Sequence, residues 1–456
     1  MSGNYKQTAM NKAFYGFLVI WAGEFLSGIG SGLTAFALAA YVFRQTGLAS
    51  SAAMIYLCTF LPAFLLRPAG GVLADRMDRR LLMIAGNLGS GLGIAIILLL
   101  MNVNKDALWL IYPGAVLSSV FTAVHSPSYK ASVSDFLPKE LYEKASGMLQ
   151  LSGAAPLLAA PFIAGLLMSF FDIYLILIID ILTFLISALI IIFIRRKTDI
   201  KVKAVKVKTG FASEMLDGFK TLNENRGVFL LTLIVSMILF NIGLLQALLG
   251  PMVLSFTDTA SLGTAQSVCA SGMVISSLII GGRRDSAGEK RYVTVLSVSL
   301  ALMGLFFSFI GIRGNIWMII IPGFLFFSTL PFVNSSIEVL IRGNISNEKQ
   351  GRAWAMISFI TYFGSIIAFA SAGFLSDRIF NPLLMNGGLF ESSLGRIFGT
   401  GAGRGIALIF FISGIIVIYL STIIYRSKTI QSLELSGNTV PVTRKRNNTI
   451  SVKEAG

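Results

Sequence analysis

Twelve long apolar runs, broken only by polar segments, fix what this chain can become. They cover roughly residues 14–43, 49–74, 81–101, 107–129, 142–169, 173–194, 228–256, 261–282, 292–311, 316–341, 353–375 and 405–426. A helix needs about 20 apolar residues to cross about 30 Å of hydrocarbon, and every run reaches that length. The expected fold is an all-α polytopic membrane protein with twelve transmembrane helices. Composition agrees: 55% of the 456 residues are hydrophobic and 13% are charged, about half the charged share of a soluble protein.

The net charge of +15 is not the footprint of a nucleic-acid binder, because the basic residues are confined to the breaks between runs. With the N-terminus placed in the cytoplasm, thirty Lys and Arg fall on the inner side and six on the outer. That asymmetry predicts that both termini and the 75–80 loop are cytoplasmic. Met1 to Lys12 is short and polar, and the first apolar run is too long for a signal-peptide core, so no cleavable leader is expected. Cys58 and Cys269 lie inside runs and read as buried, inert thiols.

Between the second and third runs lies a charged knot, Gly71 to Arg80, reading G-V-L-A-D-R-M-D-R-R. Asp75, Arg76, Asp78, Arg79 and Arg80 cannot stay in lipid and must gather at one membrane face. Gly71-x-x-x-Asp75-Arg76 recurs as Gly281-x-x-x-Asp285-Ser286 at an offset of 210, and Pro113-Gly114 recurs as Pro322-Gly323 at 209. Two matches at nearly one offset predict two pseudo-symmetric six-helix bundles. The expected division is 1–194, a linker at 195–227, 228–426, and a flexible tail at 427–456. In the linker, Phe211, Met215, Phe219 and Leu222 recur at helical spacing after the basic run Arg195 to Lys208. This reads as an amphipathic helix on the inner membrane surface, with anionic lipid headgroups as partners. Parallel six-span repeats place a substrate site at their interface near the bilayer midplane.

The chain contains no Walker A lysine, Gly-x-Ser-x-Gly, His-Glu-x-x-His or Cys-x-x-Cys pattern, and His125 is its one histidine. No enzyme activity, catalytic residue, metal or cofactor is expected. Uphill transport would then draw on an ion gradient, and ionisable groups within the spans become the coupling candidates. Glu24 leads, since a charged, lipid-facing glutamate at mid-membrane costs about 2.5–3.5 kcal/mol. Ser27, Gly28 and Ser31 extend a polar stripe from it. Proton exchange and a plain hydrogen bond to a neighbouring helix both fit Glu24. Asp180, His125 and Glu338 are further candidates. Thr183 beside Asp180 favours a structural bond there, His125 reads as packing or relay, and Glu338 can pair with Arg342 one turn on. Arg67 can snorkel or meet an acid. Candidate cavity residues are Ser27, Ser31, Asn241, Gln246, Asn334, Ser358, Thr361 and Tyr362, each of which also suits helix–helix bonding. As a set, with 35 phenylalanines in the chain, they suggest a roomy, weakly polar cavity for an amphipathic organic solute rather than a sugar or phosphate.

Several stretches resemble the Major Facilitator Superfamily, and within it the macrolide-efflux and enterobactin-exporter branch. They are Leu26-Ser27-Gly28, Thr46-Gly47, Leu61-Pro62, Gly71-Val72-Leu73-Ala74-Asp75-Arg76, Ile179-Asp180-Ile181-Leu182-Thr183-Phe184, Gln350-Gly351-Arg352 and Gly373-Phe374-Leu375-Ser376-Asp377. Gly147, Pro161 and Gly165 fit its antiporter motif, while Pro156, Ala160 and Ala164 replace other glycines of it. The resemblance implies a secondary transporter of the bacterial cytoplasmic membrane, and a monomer is expected. It would export a drug, antibiotic or natural product, with protons and the small molecule as partners. It implies a supporting role for the sixth helix, and a gating loop of Gly71, Asp75, Arg76, Arg79 and Arg80. There Asp75 locks the inner gate against span eleven near Gly351-Arg352. Span four lacks the arginine that many drug–proton antiporters carry. An importer or facilitator of the same fold, or a sensor that transports nothing, are the alternatives.

Overall fold

The computed structural model describes residues 2–104, 107–197, 211–282, 291–346 and 349–437. Its helices are α1 (Ser2–Thr46), α2 (Ala49–Arg76), α3 (Arg79–Val103), α4 (Ile111–Phe136), α5 (Tyr142–Phe170), α6 (Ile173–Lys197), α7 (Phe211–Glu224) and α8 (Arg226–Leu254). Then come α9 (Thr259–Gly282), α10 (Tyr292–Phe309), α11 (Trp317–Asn344), α12 (Gln350–Phe374), α13 (Asn381–Leu384), α14 (Gly395–Phe398), α15 (Arg404–Arg426) and α16 (Lys428–Gly437). Twelve stretches, in α1–α6, α8–α12 and α15, are long and apolar enough to cross a bilayer. Helices suit that setting because each satisfies its own backbone polar groups without water.

An even number of spans brings the first and last helices to one end, here called the base; the opposite end is the crown. In the first bundle α1 packs on α5 and α6, α3 on α4 and α6, and α2 on α4. In the second, α8 packs on α12, α9 on α11, and α10 on α11 and α15. The bundles meet chiefly along two seams, α2 with α12 and α5 with α9. At the crown of the second seam Gly165 lies against Thr259 and Gly263. The first seam runs through aromatic pairs: Tyr56 with Phe369 at 5.7 Å between ring centroids, Phe60 with Tyr362 at 5.7 Å, and Phe64 with Phe359 at 5.1 Å. Helix α2 carries Pro62, and beside it Ser119 of α4 is spliced into the backbone ladder. Its hydroxyl donates to Thr59 O at 2.6 Å and accepts from Ala63 N at 3.0 Å. A side chain inserted this way bends a helix.

The linker, read from the sequence as a helix on the membrane surface, and the tail, read as flexible, both pack against the second bundle. The linker helix α7 packs on α12, with Leu222 fully buried. Its acids reach the start of α12: Lys349 Nζ lies 2.8 Å from Glu224 Oε2, and Arg352 Nη1 lies 3.1 Å from Asp217 Oδ2. The hydrogen bond from Lys349 holds the Glu224 carboxyl below the ordinary carboxylate range. Most of the basic run Arg195 to Lys208 lies outside the described residues. In the tail, α16 docks across the base of α8, α10 and α11. Ile430 and Leu433 are buried, and Asn344 Nδ2 donates to Leu433 O at 2.9 Å. The polar look of 427–456 hid this because only two apolar side chains are needed to seat so short a helix. Residues 438–456 lie outside the described residues. The expected outer loop, 376–404, is also partly helical. A π-helical turn (Leu375–Phe380), α13 and α14 fill it.

Leu433→Ala removes a buried anchor, at a cost of about 2 kcal/mol or more. It is expected to lower the apparent melting temperature of the purified protein in detergent, read by intrinsic fluorescence. An unchanged melting curve would mean that α16 contributes nothing to the second bundle.

Candidate functional site

Between the bundles lies a cavity of about 370 Å³ at mid-depth. The first bundle supplies Gly32, Phe36, Tyr56 and Leu157; the second supplies Ile238, Leu249, Met273 and Phe327. Its polar groups are few: Tyr56 from α2, Gln246 from α8, Gln266 from α9 and Asn334 from α11. Among the described residues no charged side chain lines it. Three carboxamides thus face the chamber from the second bundle, opposite Tyr56 and apolar side chains of the first. The seams at Gly165 and along α2–α12 close it toward the crown.

The sequence candidates divide sharply by location. Gln246 and Asn334 line the cavity. Glu24 is buried within the first bundle instead, between α1, α3, α4 and α6. His125 Nε2 lies 3.1 Å from Glu24 Oε2 and 3.2 Å from Oε1. Ser187 Oγ donates to Oε1 at 2.8 Å, and Asn87 Nδ2 donates to it at 3.2 Å. Asn87 also donates to Ser187 Oγ at 3.0 Å. Glycine at position 86 makes room, since an added Cβ there would sit 2.5 Å from that of His125. Four helices therefore meet on one carboxylate, and every strong acceptor in it has a donor. Tyr129 continues the line, its ring stacked on His125 at 6.3 Å.

Asp180 occupies the same α1–α6 interface, seven residues before Ser187 on α6, as Ser31 follows Glu24 on α1. It is buried, with Ser31 Oγ at 3.5 Å from its Oδ1. Glu24 and Ser31 face this interface and Ser27 between them is buried, whereas the cavity wall of α1 is Gly32, Ala35 and Phe36. Asn241 is buried in the second bundle, donating to Met237 O at 2.9 Å and accepting from Ser413 Oγ at 2.7 Å. On α12, Thr361 Oγ1 returns to Ser358 O at 3.1 Å, Ser358 is exposed, and Tyr362 stands in the aromatic seam with the Arg67 guanidinium 5.4 Å from its ring centroid. Glu338 pairs with Arg342 near the base, beside a side groove shared with Trp354.

The charged knot is tied to its own bundle. Asp78 caps α3, accepting from Arg80 N at 3.0 Å, and takes Arg195 Nε at 3.1 Å. Arg79 reaches Asp135 at 2.8 Å, Ala131 O at 3.0 Å and Asp75 at 3.7 Å. Arg80 lies over the Phe136 ring at 4.8 Å. Gly71 has open space around it; its neighbour Gly70 is the one pressed against Ala123 O. Arg76 is exposed at the end of α2. Asp75 is half exposed, and Arg352 is engaged with α7.

Residues 20–369 match the Major Facilitator Superfamily. The chain belongs to that superfamily. It is a multi-pass membrane transporter, not an enzyme. Macrolide efflux protein A of Streptococcus pyogenes is 25% identical over 368 residues, covering 80% of this chain and 90% of that one. Multidrug resistance protein MdtG of Citrobacter koseri is 25% identical over 346 residues, covering 74% and 82%. In solved structures the fold matches the nucleoside transporter NupG with a TM-score of 0.67 at 14% identity, covering 91% of this chain and 100% of that one. A bacterial homologue of the iron transporter ferroportin matches with a TM-score of 0.67 at 14% identity, covering 91% and 99%.

For this superfamily member, the residues that sequence reasoning missed are Asn87, Ser187, Tyr56 and Gln266. Asn87 had a usable signal, being an amide in the middle of an apolar run. Ser187, at i+7 from Asp180, extends a polar line that stops too early when Asp180 is read alone. Removing one partner of a buried ion pair strands the other charge, at about 3–5 kcal/mol. His125→Leu should therefore destabilise the purified protein more than the double variant Glu24→Gln/His125→Leu, measured by thermal unfolding at neutral pH. Equal destabilisation by the two would show that removing His125 does not leave a costly unpaired charge on Glu24.

Proposed function

We propose that this transporter exports an amphipathic organic solute by alternating access in exchange for protons. Residues 1–194 and 228–426 act as the two rocking units, joined by 195–227, and the base faces the cytoplasm. The observation that carries the reading is the one-sided cavity: carboxamides from α8, α9 and α11 on the second bundle, and Tyr56 with apolar side chains on the first. A solute with one hydrogen-bonding face and one greasy face fits that asymmetry. A sugar would leave polar groups unpaired against the first bundle, at about 1–3 kcal/mol each. The thirty-to-six distribution of basic residues supports a cytoplasmic base. Efflux relatives at 25% identity, named for macrolide and multidrug resistance, support the outward direction.

Protons act on this reading through the Glu24–His125 cluster. Because the cluster lies outside the cavity, a proton there does not compete with the solute for one site. It changes instead how α1 and α4 hold to α3 and α6. The test is efflux from proteoliposomes driven by a pH gradient, using a solute first identified by its thermal stabilisation of the pure protein. Glu24→Gln is expected to abolish the gradient-driven flux while the solute still stabilises the protein. Coupled flux at the parent rate would remove Glu24 from the mechanism. Asn334→Leu is expected to shrink the solute-induced stabilisation, and an undiminished shift would place the solute elsewhere.

A further inference from the structure

The crown end of the α2–α12 seam is closed by a carboxylate from one bundle on the helix start of the other. The first turn of a helix leaves backbone N–H groups without partners, and in α2 the capping position is Leu48, which supplies no side-chain bond. Asp377, in the π-helical turn that follows α12, fills the gap. Ala49 N donates to its Oδ1 at 3.1 Å and Ser50 N donates to its Oδ2 at 2.8 Å. Each oxygen takes one amide, and the carboxylate sits at the positive end of the α2 dipole. Glycine at position 373 permits the approach, because a Cβ there would fall 2.2 Å from Ser50 Cα. A groove of about 500 Å³ bordered by Leu48, Ser50, Gly373 and Asp377 runs beside the contact.

We infer that Asp377 is the latch of the crown gate: it caps α2 across the bundle interface and holds the crown-closed state. The six residues ending at Arg378, Gly373-Phe374-Leu375-Ser376-Asp377-Arg378, repeat the pattern of Gly71-Val72-Leu73-Ala74-Asp75-Arg76 at the base end of α2. The helices α2 and α12 run antiparallel. The register that sets Ser50 against Asp377 and Phe64 beside Tyr362, carried to the end of α2, sets Asp75 against Gly351 at the start of α12. In this state Asp75 is turned to Arg79 of its own bundle. The two copies of the pattern therefore serve opposite ends of one seam, with the crown copy engaged here. The aromatic stack of Tyr56, Phe60, Phe64, Phe359, Tyr362 and Phe369 lies between them as the rocking surface. The inference goes beyond the transport reading above and holds whichever way the solute moves.

The test uses the full-length protein in nanodiscs, with spin labels on Val103→Cys and Leu389→Cys in a Cys58→Ser/Cys269→Ser background. Val103 ends α3 at the crown of the first bundle and Leu389 lies in the crown loop of the second; both are well exposed. The parent is expected to show mainly the short inter-label distance. Asp377→Ala is expected to raise the long-distance population about five- to tenfold, the shift that loss of an ordinary helix cap brings. Asp377→Asn keeps the shape but loses the charge, and should give a smaller rise. Asp75→Ala should give none. If Asp377→Ala fails to fold, Asp377→Asn carries the test. A distance distribution unchanged by both Asp377 variants would overturn the inference, as would an equal rise from Asp75→Ala.

Discussion

An ionised side chain cannot face acyl chains, and in this protein that rule decides how the first bundle is assembled. Glu24 has to turn inward, and once there it needs donors from every direction. His125, Ser187 and Asn87 supply them from α4, α6 and α3. Ser31 and Asp180 repeat the arrangement about two helical turns away, along the same pair of helices. Small residues of α1 let α6 come close enough for both. The outcome is a bundle pinned by polar contacts at two depths, in surroundings where apolar packing alone gives little preference for one helix partner over another.

The polar pins lie inside the bundle, whereas the seams between bundles are largely apolar and aromatic. Charge is distributed accordingly. The knot after α2 is bonded back into its own bundle through Arg79 to Asp135 and Arg195 to Asp78. The linker helix, though it follows the first bundle in sequence, gives its acids to Lys349 and Arg352 of the second. Among the described residues, contacts across the interface are aromatic at mid-depth, with the Arg67 guanidinium over Tyr362 on the base side and the Asp377 carboxylate on the start of α2 at the crown.

Much of the fold was legible in the sequence because one physical quantity, the length of an apolar run, reports directly on crossing a bilayer. Both the number of spans and the inward turn of Glu24 follow from the cost of polar groups in lipid. The partners of Glu24 were not legible, because a single sequence does not say which helices become neighbours. The stripe from Ser27 to Ser31 and the set Ser358, Thr361 and Tyr362 show the limit well. Both have helical spacing, yet Ser31 meets Asp180 of α6, while Ser358 is exposed and Tyr362 stands in the aromatic seam. Spacing identifies a face and leaves open what it meets. Helix α16 escaped for a different reason, since its two anchoring side chains are too few to register against a polar background.

The chamber between the bundles carries amides and a phenol but, among the described residues, no formal charge. A wall of that kind offers a passing solute no counter-ion. Whatever charge the cargo bears, together with that of any ion moving the other way, is then the whole electrical signature of a turnover. The membrane potential acts on that sum directly, at about 2.3 kcal/mol per elementary charge for each 100 mV. Neutral and cationic solutes of the same shape would thus be worked against different electrical loads by the same protein.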